Sequence, residues 1–126
     1  MIVGIGIDIV EIARMETSLA RLGERFAQRI LSDAEYTEFQ QQQFPARFLA
    51  KRFAAKEAAA KALGTGFSQG VSLKHICVSN DELGKPVLSF TQVAADIARE
   101  KQIQSFHLSI ADEKHYAIAN VILETN

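Results

Sequence analysis

The sequence predicts an α+β protein, with a mainly antiparallel sheet and helices packed on it. Three observations lead to this fold class. An alternating apolar strand opens the chain, helical spacing dominates residues 11–63, and alternating strands joined by short turns fill most of the second half. The chain has 126 residues, and no linker or internal repeat divides it. We therefore predict a single domain that spans residues 1–126.

The first predicted strand, residues 2–10, has two very different faces. Four branched residues share one face: Val3, Ile5, Ile7 and Ile9. The other face carries Gly4 and Gly6 beside Asp8. Glycine in a strand often marks the close approach of a ligand or of another backbone. We expect the glycines to make room for a helix or a substrate, while Asp8 either binds a metal or caps the next helix.

Helices are predicted in the following part of the chain. Residues 11–30 are predicted to form one helix, because apolar residues recur there at helical spacing. A separate stripe of the same helix is rich in arginine: Arg14, Ser18, Arg21 and Arg25. Ser32 and Glu35 have the spacing of a capping box, which predicts a short polar helix ending near residues 41–44.

A long alanine-rich helix is predicted from Pro45 to a stop signal at Gly64. A helical wheel places Glu57 among small and apolar residues, and Lys61 follows one turn later. These two charges are either a solvated surface pair or a functional pair in a dry environment. The loop at 64–70 either offers backbone N–H groups to a phosphate or simply caps the helix.

The same helix has a local excess of positive charge. Its segment 47–61 holds five basic residues and one acid. Such an excess suits a polyanion such as phosphate, although a solvated basic face has the same composition.

The second half alternates strands with one helix. Strands are predicted at residues 75–79, 86–90, 105–111 and 115–123. Thr91 could cap a helix between the second and third of them. His107 lies on the more polar face of its strand, where a lone histidine is usually structural.

Composition excludes several classes of function. The net charge of −1 gives no general attraction to nucleic acid or to an anionic membrane. The one cysteine, Cys77, cannot form an intrachain disulfide. No apolar run approaches the ~20 residues that span a bilayer, and we find no signal peptide. We therefore expect a soluble cytoplasmic protein.

The two unusual carboxylates, Asp8 and Glu57, could lie together in the fold. Close carboxylates repel unless a cation joins them or one is protonated. Oxygen ligands completed by water and phosphate are typical of Mg²⁺. Lys61, one turn from Glu57, would then neutralise a phosphate. The residues thus predict a magnesium and phosphate site.

Four blocks of the sequence resemble the holo-[acyl-carrier-protein] synthases, the small bacterial 4′-phosphopantetheinyl transferases. They are GIGIDIVEIAR at 4–14, RFLAKRFAAKEAAAKALGTG at 47–66, NDELGKP at 80–86 and HLSIADEKHYAIANVI at 107–122. Their order and separations also fit, so the resemblance covers nearly the whole chain and implies a 4′-phosphopantetheinyl transferase-like fold.

The resemblance implies transfer of the phosphopantetheine arm of coenzyme A to a serine of apo acyl carrier protein, with release of adenosine 3′,5′-bisphosphate. This reaction supports fatty acid biosynthesis. Asp8 and Glu57 would bind Mg²⁺ together with the coenzyme A pyrophosphate, and Lys61 would contact that phosphate and assist the leaving group. The general base stays open between Glu57 and a water. The alternative is a coenzyme A or nucleotide-binding module without turnover, which would not need both carboxylates.

Other implied roles involve residues spread along the chain. A coenzyme A site would be lined by Lys61, Gly64, Thr65, Gly66, Lys85, Pro86 and His107. The acidic recognition helix of the carrier protein would dock on Arg14, Arg21 and Arg25. The group's members look like homotrimers with active sites between subunits. Many relatives have Ser-His where this chain has Ala111-Asp112, so no role is carried over to that pair.

Overall fold

The structure is a computed structural model that describes all 126 residues. Five strands and five α-helices follow one another, with one 3₁₀ turn at Leu73–His75: β1 Ile2–Glu11, α1 Ile12–Leu22, α2 Glu24–Ile30, α3 Asp33–Phe39, α4 Pro45–Leu63, β2 Ile76–Asn80, β3 Pro86–Phe90, α5 Gln92–Glu100, β4 Ile103–Asp112 and β5 Tyr116–Thr125. None of these helices combines the length and hydropathy needed to cross a bilayer.

Two antiparallel sheets confirm the α+β prediction. The larger has the order β1-β5-β4, and the smaller is the hairpin of β2 and β3. In the larger sheet Asp8 lies opposite Ala119, which in turn lies opposite Ile110. Asp8 therefore lies on the inner face of this sheet, beside small residues of the central strand. Helix α4 packs across the same face.

The two glycines of β1 allow α4 to approach the strand backbone. A Cβ atom added to Gly6 would overlap the carbonyl oxygen of Ala58, and one added to Gly4 would overlap that of Ala62. The close approach predicted for this strand is therefore made by a helix. It brings the side chains of β1 and α4 together at Asp8.

The outer face of the larger sheet is apolar and exposed. Ile5, Ile7 and Ile9 of β1 are 64%, 57% and 60% exposed. Tyr116 and Ile118 on β5 extend this apolar surface. We call the five residues the outer isoleucine face.

The helix predicted over residues 11–30 is two helices. Gly23 ends α1 with a positive φ of 70°, and its N–H donates to the carbonyl of Leu19 before α2 begins. That conformation is easy for glycine and difficult for other residues. The capping box at Ser32 and Glu35 is present, whereas Thr91 occupies the N-cap position of α5 without a side-chain cap.

Candidate active site

A cavity of about 490 Å³ opens between β1, α1 and α4. Its charged residues are two acids and two bases, which come from three separate elements: Asp8, Arg14, Glu57 and Lys61. Ser18 and Phe53 form part of the remaining wall. The structure thus brings together the three residues that the sequence predicts for the metal and phosphate, and it adds Arg14.

Lys61 pairs with Asp8 rather than with Glu57. Its Nζ lies 3.0 Å from Asp8 Oδ1 and donates at 3.0 Å to the carbonyl oxygen of Ile7. The side chain of Asp8 is mostly buried, while that of Lys61 remains half exposed. Asp8 does not cap α1, because the N-cap position is Glu11 and no side-chain cap is made there. Asp8 is therefore held by Lys61 in the cavity and not at the start of α1.

Glu57 lies on the open stripe of an otherwise buried helix. Phe53, Glu57 and Lys61 follow one another at a spacing of four along α4, while most neighbouring residues of the helix are fully buried. Burial raises the pKa of Glu57, the negative charge of Asp8 raises it further, and Lys61 offsets part of this effect. The carboxylate thus lies in a half-buried and negatively charged environment, which favours a proton or a cation beside it.

The donor set of the cavity fits Mg²⁺. Asp8 and Glu57 supply carboxylate oxygens, which are the hard ligands that this ion takes, and one or two carboxylates with water and phosphate oxygens are its usual coordination. No group of three or more His, Cys, Asp and Glu residues forms a larger protein cage. Burial and the negative charge of Asp8 raise the pKa of Glu57, and a divalent cation between the two carboxylates would relieve their repulsion.

The loop after α4 caps the helix. The N–H groups of Gly64 and Gly66 both donate to the carbonyl of Ala60, and Gly64 has a φ of 89°. The hydroxyl of Thr65 donates to the carbonyl of Gly66. Two of the N–H groups that the sequence offers to a phosphate are therefore used by the helix, so the helix-cap reading is the correct one for them.

The remaining residues predicted for coenzyme A lie outside this cavity within one chain. Lys85 and Pro86 follow the turn of the β2–β3 hairpin, and Pro86 lines a separate cavity of about 290 Å³ with Lys51 and Arg52. His107 lies on the outer face of β4, where it pairs with Glu124 at 2.6 Å.

Most of the basic residues of α4 have structural partners. Arg47 pairs with Asp112 at 2.8 Å. This ion pair is a structural contact of Asp112, a residue to which the sequence analysis assigns no role. The guanidinium of Arg52 pairs with Glu38, donates to Asn80 and lies over the ring of Phe48. Lys56 forms a buried ion pair with Glu35. Three of the five basic residues are therefore held by structural partners, whereas Lys61 lines the cavity of Asp8, where a phosphate could reach it.

The arginine stripe is divided by the break at Gly23. Arg14 lines the cavity of Asp8, whereas Arg21 is exposed at the end of α1. Arg25 lies on α2, in a basic concavity with Arg29 and Lys74. The sequence predicts that Arg14 lies on a helix, and it does lie on α1. Its position in the cavity, however, depends on how α1 packs beside β1.

The fold and the arrangement of this cavity define a phosphopantetheinyl transferase-like α+β protein. The family model of the 4′-phosphopantetheinyl transferase superfamily matches residues 4–121, and the chain belongs to that superfamily. Holo-[acyl-carrier-protein] synthase of Vibrio cholerae serotype O1 is 58% identical over 124 residues, which cover 98% of each chain.

Solved structures agree with this assignment. The crystal structure of holo-[acyl-carrier-protein] synthase from Neisseria meningitidis is 42% identical, with a TM-score of 0.94 over 99% of this chain and all of the other. That of the Bacillus anthracis synthase, in complex with CoA (3′,5′-ADP), is 41% identical, with a TM-score of 0.84 over 100% of this chain and 99% of the other.

Proposed function

We propose that this chain is an Mg²⁺-dependent enzyme that transfers the 4′-phosphopantetheine arm of coenzyme A to a serine of apo acyl carrier protein. Relatives that cover 98% of this chain carry the name of that synthase. The observation that carries the proposal is the meeting of Asp8, Glu57 and Lys61 in one cavity, since a module that only binds nucleotide does not require two repelling carboxylates there.

The charge balance of the cavity supports a role for a metal. Its two carboxylates and its two basic side chains cancel formally, so an incoming pyrophosphate adds uncompensated negative charge. Asp8 and Glu57 would hold Mg²⁺, which when bound supplies positive charge to the phosphate oxygens. Lys61, released from Asp8, would neutralise the phosphate from its position on α4.

In the reaction the serine oxygen of the carrier protein forms a bond to the β-phosphorus of coenzyme A, and the bond from that phosphorus to the leaving phosphate breaks. The products are holo acyl carrier protein and adenosine 3′,5′-bisphosphate. Lys61 stabilises the charge that develops on the leaving phosphate. The serine proton passes to a base, for which Glu57 and a water in the cavity are the candidates.

A homotrimer would complete the coenzyme A site. The outer isoleucine face is a large apolar surface that a monomer would leave in water, and a second copy of the chain is the partner that best matches it. His107 lies on that side of the sheet, so a neighbouring subunit could bring it to the cavity of Asp8. We place Lys85, Pro86, His107 and the loop at 64–66 in this composite site.

The carrier protein would dock on the exposed arginines. Arg21 is exposed at the end of α1, and Arg25 precedes Phe26 of α2, which lines the cavity of Arg14. Such a basic surface complements an acidic helix. The enzyme would thereby supply fatty acid biosynthesis in the cytoplasm with holo carrier protein.

The intact mass of apo acyl carrier protein, after incubation with this chain and coenzyme A, tests the proposal. We expect a gain of one phosphopantetheine arm with Mg²⁺ and none with EDTA. Coenzyme A binding without any mass gain would instead establish the non-catalytic binding module.

A further inference from the structure

A buried ion pair lies directly behind the cavity. Lys56 Nζ is 2.7 Å from Glu35 Oε1, and both side chains are almost completely removed from solvent. Lys56 also donates to the carbonyl of Leu73 at 3.0 Å. Glu35 accepts from the N–H of Ser32 at 2.8 Å and from that of Val78 at 2.7 Å. The pair therefore connects α4 to α3, to β2 and to the 3₁₀ turn.

The close contacts of Ala58 and Ala62 with β1 hold one side of α4. Lys56 lies ~200° around the helix axis from Ala58, so the ion pair holds the other side. The buried neighbours of Lys56 on α4 are Arg52, one turn earlier, and five alanines: Ala54, Ala55, Ala58, Ala59 and Ala60. Alanine methyl groups make no directional contact, so they resist a small rotation of the helix less than the hydrogen bonds of Arg52 and Lys56 do. A hydrogen-bonded ion pair is directional, so it resists such a rotation.

Stability alone is a weak explanation for this pair. Apolar residues of similar volume often stabilise a core as well as a buried ion pair or better, because removing charges from water is costly. A role in selecting one arrangement of the core explains the pair more directly.

Lys56 immediately precedes Glu57 in α4. Neighbouring helical residues are separated by ~100° around the axis, so fixing the direction of Lys56 also fixes that of Glu57. We propose that Glu35 and Lys56 are positioning residues, which set the rotation of α4 and so hold Glu57 beside Asp8 for the metal. This inference rests on the proposed function, because it assigns the pair a role toward the metal of that site.

The decisive variant replaces both charges at once, as Glu35→Leu with Lys56→Met. The single changes should each lower Tm by about 10 °C or more, because each leaves one buried charge or polar group without its partner. The double variant should regain the part of that loss that comes from the unpaired charge, although the N–H groups of Ser32 and Val78 and the carbonyl of Leu73 still lose a partner. Its Mg²⁺ affinity, measured by calorimetry on the protein loaded with coenzyme A, should nevertheless fall about tenfold or more, as for other residues that orient metal ligands.

Ile103→Ala is the matched control, because it removes buried apolar volume from β4 far from α4's charged residues. It should lower Tm and leave the Mg²⁺ affinity unchanged. A folded double variant with the Mg²⁺ affinity of the unaltered protein would overturn the inference. If the double variant does not fold, the Glu35→Gln variant is measured at low temperature in its place. A Mg²⁺ affinity per folded molecule equal to that of the Ile103→Ala control would likewise overturn the inference. A failure of the unaltered protein to bind Mg²⁺ would instead refute the proposed function.

Discussion

The ammonium nitrogen of Lys61 lies 3.0 Å from Asp8 Oδ1, which joins α4 to β1 at the cavity. Lys61 is also one helical turn from Glu57, but its pairing with Asp8 leaves Glu57 without an ion-pair partner. The two carboxylates therefore have unequal environments. Asp8 is already paired with the ammonium group of Lys61. Glu57 has no such partner, so a bound cation would stabilise its charge more than that of Asp8.

The first prediction concerns these two carboxylates. Asp8→Asn and Glu57→Gln should each lower the rate of phosphopantetheine transfer by about 100-fold or more at fixed Mg²⁺, because each removes a ligand charge at the reacting phosphate. Rates over a series of Mg²⁺ concentrations measure the effect. Asp96→Asn is the control, since Asp96 is an exposed carboxylate that pairs only with Arg99 on α5. Unchanged rates in both site variants would exclude the proposed metal site.

The second prediction concerns the contact of β1 with α4. Gly6→Ala should lower the free energy of unfolding by about 1–3 kcal/mol or more, because the new methyl group would overlap the backbone of Ala58. The strand or the helix would have to move, and the separation of Asp8 from Glu57 would change with it. Thermal unfolding together with transfer rates measures both effects. Ser79→Ala, at an exposed position of β2, should change neither. A Gly6→Ala variant with normal stability would contradict the close packing seen here.

Alternation and turn chemistry predict most of this fold from the sequence. The two faces of β1 are evident because side chains alternate along a strand, and the glycines correctly indicate a close neighbour. The single helix over 11–30 is wrong, because apolar residues keep their helical spacing through Gly23 even though its backbone leaves the helix. The spacing of apolar residues does not reveal a single residue at which the backbone leaves the helix with a positive φ.

The polar contacts of the core were less accessible from the sequence. The capping box predicts Glu35 Oε1 beside Ser32, but nothing local indicates that Lys56 and the N–H of Val78 complete the contacts of this carboxylate. The partners come from distant segments and meet only when α3, α4 and β2 pack together. For the same reason, the pairing of Lys61 with Asp8 instead of Glu57 depends on the tertiary fold.

The third prediction separates the arginines by their positions. Arg21→Glu should raise KM for apo carrier protein about tenfold and leave KM for coenzyme A unchanged, because Arg21 is exposed outside the cavity. Arg14→Glu should alter both constants, since Arg14 lines the cavity of Asp8 and Glu57. Arg99→Glu on α5 is the control for surface charge and should alter neither. Equal effects of the Arg21 change on both substrates would exclude its docking role.

The fourth prediction concerns the outer isoleucine face. Ile7→Lys should dissociate the proposed trimer, because it places a charge in the middle of the apolar surface of β1. Sedimentation velocity measures the change in mass, and transfer activity should fall with it if neighbouring subunits complete the site. Val87→Lys is the matched control for the sedimentation measurement, since Val87 is an exposed apolar residue of the other sheet. A monomeric unaltered protein with full activity would contradict both the trimer and the composite site.

The last prediction concerns pH and follows from the raised pKa of Glu57. Burial and the charge of Asp8 raise this pKa above its ordinary value of 4.5, so folding favours the protonated carboxyl group. The contribution of this group to stability is fully present below the ordinary pKa, and it is lost as pH rises through the raised value. Without metal, Glu57→Gln should therefore be more stable than the unaltered protein near pH 7, because the amide stays neutral. The advantage should disappear by about pH 4, where the unaltered protein carries a neutral Glu57 as well.

The Tm values of both proteins, measured in EDTA across this pH range, test this prediction, with Glu100→Gln on α5 as the exposed control. A difference in Tm that stays constant with pH would show that the change acts through packing and not through the charge of Glu57.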